Sequence, residues 1–435
     1  MKNRWIQTAS LGMQHVLAMY AGAVIVPLIT GSALKMTSEQ LTYLVSIDIF
    51  MCGIATFLQV WKGKWFGIGL PIVLGCTFTA VAPMIAIGQS YGLPGVYGAI
   101  LASGIFVVLI APVFSRLVQF FPPIVTGSVV TIIGLTLIPV AMKNMAGGEG
   151  SPDFGSPANI ALSFGTLIVI IVLYRFFTGF IRSISVLLGL FAGTMAAAMM
   201  GKVDFSPVSE ASWFHMIKPF VLGVPAFHWT SILTMIFVAI VSLVESTGVY
   251  FAAADICEKK VNEDDLKKGY RSEGIASILG SLFNSFPYTA FSQNIGLIQL
   301  SGVKSRSVIF VTAFILMLLG LIPKIGAFTT IIPSSVLGGA MVAMFGMVIA
   351  QGIKMLSKVD FTSQENLLIM ACSIGMGLGV TVVPDLFGQL PKALQILTGN
   401  GIVAGSVTAI VLNIVFHMIG KRTDKSTAVI QQKIS

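Results

Sequence analysis

Charge is what this 435-residue chain has least of: Asp, Glu, Lys and Arg together make up 10% of it, where soluble domains carry roughly 25%. With 55% hydrophobic residues and a mean hydropathy of +0.92, that shortage excludes a soluble globular class. Cysteine is also scarce. Cys52, Cys76, Cys257 and Cys372 sit within or beside apolar runs, and none is close to another in sequence. A disulfide framework and a zinc site are thereby set aside, and the four are read as buried thiols. Catalytic motifs are missing too. There is no Walker phosphate loop, no HExxH and no visible nucleophile–base pair, so no enzyme, catalytic residue, cofactor or metal is expected. Work done across a membrane would then draw on an ion gradient. The net charge of +9 is spread one or two residues per loop, which fits membrane topology and not nucleic-acid binding.

What the chain has is apolar runs. One membrane helix needs about 20 apolar residues. Runs lie near 11–30, 40–61, 66–90, 93–115, 124–142, 158–178 and 183–200, and again near 229–251, 271–285, 287–300, 306–323, 328–351, 364–384 and 400–420. That makes fourteen candidate spans, seven on each side of a polar stretch at 201–227. The opening MKNRWIQTAS, with the long run behind it and no small-residue cleavage site, reads as the first span and not as a signal peptide. With a cytoplasmic N-terminus, 20 basic residues fall inside and 6 outside, the latter being Lys35, Lys143, Lys202, Lys218, Lys324 and Lys392. A wrong span count would scramble this asymmetry. The expected divisions are residues 1–205, an extracellular linker at 206–228, residues 229–420 and a cytoplasmic tail at 421–435.

Seven spans per half is an odd number, so the halves would insert in opposite directions, as inverted repeats of secondary transporters do. A pair of interrupted segments at matching places marks the binding site of such proteins. Here the third span holds FGIGLPIVLGCTFTAVAP (66–83) and the tenth holds FPYTAFSQNIGLIQLSG (286–302), both rich in Gly, Pro and polar residues. Backbone broken at membrane depth survives only where it lines a cavity, and half-helix N-termini there present partial positive charge. Polar side chains at these breaks would face a substrate.

Glu245, in SLVESTGVYFA, is an acid at membrane depth and a functional candidate by default. A satisfied structural carboxyl is the competing reading. Gln293 and Asn294 sit at the second break, where an amide offers both donors and an acceptor to a ring presenting N–H beside C=O, or else caps the broken helix. Phe78 and Phe291 sit in the two breaks, as packing or as surfaces for a flat heterocycle. Asp48 in the second span reads as an interhelical polar contact, and His15 in the first as a structural or gating residue. Glu273 enters the ninth span beside Arg271, where a surface pair is one reading. The mixed-sign run CEKKVNEDDLKKGYR (257–271) reads as a solvated cytoplasmic loop.

QHVLAMYAGAVIVPLITG (14–31), SLVESTG (242–248) and FPYTAFSQNIGLIQLSGVKSR (286–306) resemble the nucleobase–ascorbate transporter family, also called nucleobase–cation symporter 2, across essentially the whole chain. NSFPYTAFSQN is most similar to the bacterial xanthine and uric acid permeases. The resemblance implies an all-α polytopic membrane protein of fourteen spans in a 7+7 inverted repeat, with core and gate domains and short extended pieces in spans 3 and 10. It implies proton symport of a purine base (xanthine, or urate), with sodium as the other candidate ion. Multi-pass residence in the cell membrane, with both termini cytoplasmic, and a homodimer among membrane lipids follow from it. By the same resemblance Glu245, Gln293, Phe78, Ser292 and Phe291 hold the base, while His15, Asn294, Glu273 and Asp48 serve coupling or gating. Uracil-specific members carry Glu at the signature position, where this chain has Gln293. Many xanthine permeases carry Asp four residues after the eighth-span acid. Here that position is Val249, so one member of their polar network is missing.

Overall fold

The computed structural model describes residues 2–117, 121–391, 395 and 398–419. Lys392 and the expected tail at 421–435 lie outside the described residues. The described residues divide into two compact units, one within 1–116 and 137–345, the other within 117–136 and 346–435.

The first unit opens with α1 (Lys2–Ala33) and α2 (Ser38–Val60). A capping box fixes the start of α2: Thr37 Oγ1 accepts from the Gln40 amide, and the Gln40 side chain accepts from the Thr37 amide, so two orphan donors are satisfied. Beyond α2 the backbone stays non-helical to β1 (Leu74–Cys76), passes one 3₁₀ turn at Phe78–Ala80 and enters α3 (Val81–Leu117). Gly92 interrupts α3 with φ 70° and ψ 178°, a backbone that glycine adopts without the Cβ penalty. The helix is thus two pieces meeting between the third and fourth apolar runs.

After α4 (Pro123–Met145), α5 (Pro157–Phe176), α6 (Gly179–Ser183) and α7 (Ser185–Met199), a short α8 (Ser206–Glu210) opens the linker. Then come α9 (Trp229–Ile256), α10 (Glu263–Leu282), β2 (Tyr288–Ala290), α11 (Ser292–Ser301), α12 (Arg306–Gly320), α13 (Pro323–Thr330) and α14 (Ser334–Leu356). The linker lies against folded chain. Val208 of α8 packs with Ala327 and Ile331, and Asn284 holds the Leu222 amide and Gly223 carbonyl at 2.9 and 2.8 Å. The run 257–271 is not all loop, as its charge pattern led us to expect. From Glu263 it is the first turns of α10, started by a capping box between Asn262 and Asp265, with Asp264 paired to Lys267 and Lys268 at 2.6 Å each.

The two strands form a two-stranded sheet within this unit. They pair antiparallel, Leu74 with Ala290, Gly75 with Thr289 and Cys76 with Tyr288, and all six residues are buried. The ladder continues past both ends, the Thr77 amide donating to Pro287 O and the Phe291 amide to Val73 O, each at 3.0 Å. Two distant stretches thus satisfy each other's backbone where no water is available to do so.

In the second unit α15 (Gln364–Val382) packs on α16 (Gly401–Ile414). Small residues allow it: a Cβ on Gly401 would fall 2.3 Å from Gly377 O, and one on Gly405 2.8 Å from Ser373 O. Close backbone approach at glycine is how membrane helices gain dispersion contact.

Eight helices among the described residues are long and apolar enough to cross a membrane, or nine if α12 and α13, bent by 80°, count as one. The fourteen apolar runs outnumber them for physical reasons. The stretch Phe78–Leu117 joins two runs, while Ser185–Met199 and Gly401–His417 are shorter apolar helices and α11 has only 10 residues.

Candidate functional site at the strand pair

Glu245 and Ser246 are neighbours on α9, and each fastens that helix to a different strand segment. Thr79 Oγ1 donates to Glu245 Oε2 at 3.1 Å, just beyond β1. Ser246 Oγ accepts from the Ala290 amide at 3.1 Å and lies 2.8 Å from Thr289 Oγ1, on β2. Glu245 is half-buried, and among the described residues it carries no cation partner.

Each strand leads into a helix start. The Thr77 hydroxyl accepts from the Thr79 amide. Phe291 precedes α11 without a side-chain cap, so the first amides of α11 keep their donors and their share of positive charge. Gln293 stands in this first turn, half-buried. The Phe291 ring lies over glycine: a Cβ on Gly75 would meet it at 2.5 Å and one on Gly22 at 3.0 Å. The Phe78 and Phe291 rings are near-parallel, 14° apart in plane with centroids 6.4 Å apart, and Phe345 meets Phe78 edge-on at 5.6 Å.

The remaining candidates fall into three groups. His15 of α1 and Asn294 of α11 are brought together. Asn294 Nδ2 donates to His15 O at 3.0 Å and lies 3.1 Å from Nδ1, so a donor there requires an unprotonated Nδ1. Asp48 is fully buried and holds the ends of both strands. Its Oδ1 accepts from Ser285 at 2.6 Å and Tyr288 at 3.3 Å, and its Oδ2 accepts from the Cys76 thiol. Cys52 joins this cluster, with all ligating atoms within 4.8 Å of one another. Separation in sequence had kept Cys52 and Cys76 apart; the fold gathers them around one carboxylate, whose oxygens are engaged by hydroxyls and thiols.

Glu273 forms no surface pair with Arg271. It is 3% exposed and accepts from the Tyr250 hydroxyl. Arg271 instead lies over the Trp65 ring at 4.5 Å. One residue step on a helix turns the side chain by about 100°, which separates a half-buried Arg271 from a buried Glu273 two steps on. Thr79, Ser246, Tyr250 and Gln59 were not foreseen. Their signal was weak: hydroxyl and amide residues in apolar runs, of which the chain has many.

Outside the spans the ion pairs are ordinary. Asp153 is held down to about 2, chiefly by the hydrogen bond from Lys202 Nζ at 2.7 Å.

Comparison with known proteins follows the same lines. The permease family model Xan_ur_permease matches residues 6–386. The xanthine permease of Bacillus subtilis (strain 168) is 67% identical over 421 residues, 97% of this chain and 96% of its own. The uric acid permease PucK of the same organism is 61% identical over 412 residues, 95% and 96% of the two chains. Among solved structures, the transmembrane domain of the cyanobacterial bicarbonate transporter BicA superposes with TM-score 0.66 at 16% identity, covering 91% of this chain and 97% of that one, a likeness of fold alone. With the broken, strand-paired segments and the apolar helices around them, these matches place the chain in the nucleobase–ascorbate transporter family of permeases: it is a multi-pass membrane transporter and not an enzyme.

Proposed function

We propose that the chain imports a purine base, xanthine and also urate, across the cell membrane by proton symport with alternating access. The observation that carries this reading is the strand pair of Leu74–Cys76 with Tyr288–Ala290. It sets a half-buried carboxylate, Glu245, beside one strand and a half-buried amide, Gln293, just past the other. A xanthine ring offers N–H donors beside C=O acceptors. Glu245 accepts from ring N–H, and Gln293 supplies a donor and an acceptor. Backbone amides at Phe78 and Ser292, at the starts of their helices, donate to ring oxygens or nitrogens. Phe291 offers a ring face. The relatives named for xanthine and uric acid transport, at 67% and 61% identity, support the same substrate class.

The finer architecture belongs to this proposal: fourteen spans as two inverted repeats, 1–205 and 229–420, both termini cytoplasmic, and a homodimer. So do the coupling roles of His15, Asn294, Glu273 and Asp48, with sodium as the rival ion.

A uracil permease is the second reading, and Gln293 in place of Glu speaks against it. An anion transporter is the third. It shares the fold, yet the basic residues nearest the second break, Lys304 and Arg306, lie beyond the end of α11 at Ser301. The test is uptake of labelled xanthine into proteoliposomes, with urate, uracil, guanine and hypoxanthine as competitors. Accumulation above the outside level that a protonophore abolishes is the expected result. Competition by uracil alone, or equilibration without accumulation, overturns the proposal.

A further inference from the structure

The bonding of Glu273 does more than bury it. Tyr250, fully buried, donates its single hydroxyl proton to Glu273 Oε1. The Tyr250 hydroxyl oxygen in turn accepts from Gln59 Nε2 at 2.6 Å. Gln59 is fully buried as well, and its Oε1 has no hydrogen-bond partner. The chain therefore points one way, amide to phenol to carboxyl, and suits an ionised carboxylate. A protonated Glu273 becomes a donor. Tyr250 can receive that proton's hydrogen bond only by giving its own to another acceptor. Gln59 has the acceptor: a half-turn of its terminal amide puts Oε1 where Nε2 stands.

We infer that Gln59, Tyr250 and Glu273 form a reversible hydrogen-bond chain whose polarity inverts, by rotation of the Gln59 amide, each time Glu273 gains or loses the coupling proton. The inference rests on the proton-symport reading above. No bond to carbon, nitrogen or the phenol oxygen is made or broken. One proton joins or leaves the Glu273 carboxylate, and the others change only their acceptors.

The change reaches the site. The Ser246 hydroxyl, 2.8 Å from Thr289 Oγ1 on β2, is also close enough to Glu273 to respond to its charge. With Glu273 ionised, Ser246 donates to it. With Glu273 neutral, Ser246 is free to donate to Thr289 beside the Gln293 segment. Glu273 also borders a cavity of about 20 Å³ shared with Ser103, Ser242 and Ser277, room for a single water by which a proton enters or leaves. The titratable groups facing Glu273 are Tyr250 and Glu245 on α9, Tyr270 on its own helix and Tyr288 across the cavity. Gln59 and Tyr250 are positioning residues here; neither is asked to touch substrate.

The test uses full-length protein in proteoliposomes and reads protonophore-sensitive xanthine accumulation against pH, beside xanthine exchange without a pH gradient. Gln59→Met removes the acceptor the neutral state needs, so the midpoint of the pH profile moves down by about one unit, a tenfold change in protonation. Tyr250→Phe removes the donor to the ionised state, so the midpoint moves up by a similar amount. Exchange stays within about threefold of wild type in both. Midpoints that stay put, or move the same way, overturn the inference; a structural defect would lower exchange and accumulation together at every pH. Should either variant fail to fold, wild-type protein with ¹³C at the glutamine side-chain carbonyls decides. An infrared shift in one carbonyl band at the same midpoint as transport supports the chain, and its absence overturns it. If wild type itself shows no protonophore-sensitive accumulation, the symport reading falls first and the chain with it, a result distinct from variants that fail against an accumulating wild type.

Discussion

Glu245 differs from the other buried acids in having a half-open face and one hydroxyl partner, Thr79 at 3.1 Å. A carboxylate with spare acceptor capacity is what a ring rich in N–H groups needs. Glu245→Gln keeps the shape and removes the charge. Loss of a charge-assisted hydrogen bond is worth about 1.5–3 kcal/mol, so xanthine binding weakens roughly tenfold to a hundredfold. Calorimetry with purified protein checks this, and unchanged affinity returns Glu245 to a structural role. Gln293→Glu removes one donor and adds a charge. We expect xanthine uptake to fall at least about tenfold, from a lost pairing and an uncompensated charge. Uptake within about twofold of wild type removes Gln293 from the site. Both residues stood out in sequence as candidates because a polar group in an apolar run is costly and therefore conspicuous. Thr79 and Ser246 were not, since hydroxyls are cheap in helices and the chain has many.

At the scale of elements, both breaks were legible as segments unable to persist as lipid-facing helix. Their pairing was not, because β1 and β2 are held in register by contacts between residues more than two hundred positions apart. Asp48 was read as a contact between helices. It instead ties Cys76 of β1 to Ser285 and Tyr288 at the approach to β2. The start of α10 was lost in its charges, although Asn262 and Asp265 spell out a capping box. Gly75→Val tests the strand pair as a support. Its side chain would strike the Phe291 ring, 2.5 Å from the Cβ position. Overpacking of this kind costs about 1–3 kcal/mol. We expect a lower melting temperature and xanthine affinity reduced roughly tenfold; wild-type affinity would show that Phe291 can move aside without consequence for binding.

For the whole molecule, composition alone excluded a soluble protein, and apolar runs marked the membrane segments. Span count proved harder to read, because several apolar elements are shorter than a bilayer crossing, although the break at Gly92 falls where the third and fourth apolar runs divide. In the second unit, stability rests on glycine contacts that no hydropathy plot reveals. Gly401→Leu would drive a side chain into Gly377 O, 2.3 Å from its Cβ. We expect detergent-solubilised protein to aggregate or melt well below wild type. A melting curve superposable on wild type would mean that α15 and α16 separate at little cost.

The strand pair also bears on biogenesis. Residues 74–76 leave the ribosome long before residues 288–290 exist. Until then the amides and carbonyls of the first strand have no lasting mate, in surroundings that supply none. The early half of the nascent protein must therefore wait, sheltered by the insertion machinery or by water, and commits to its final form only when the later half arrives.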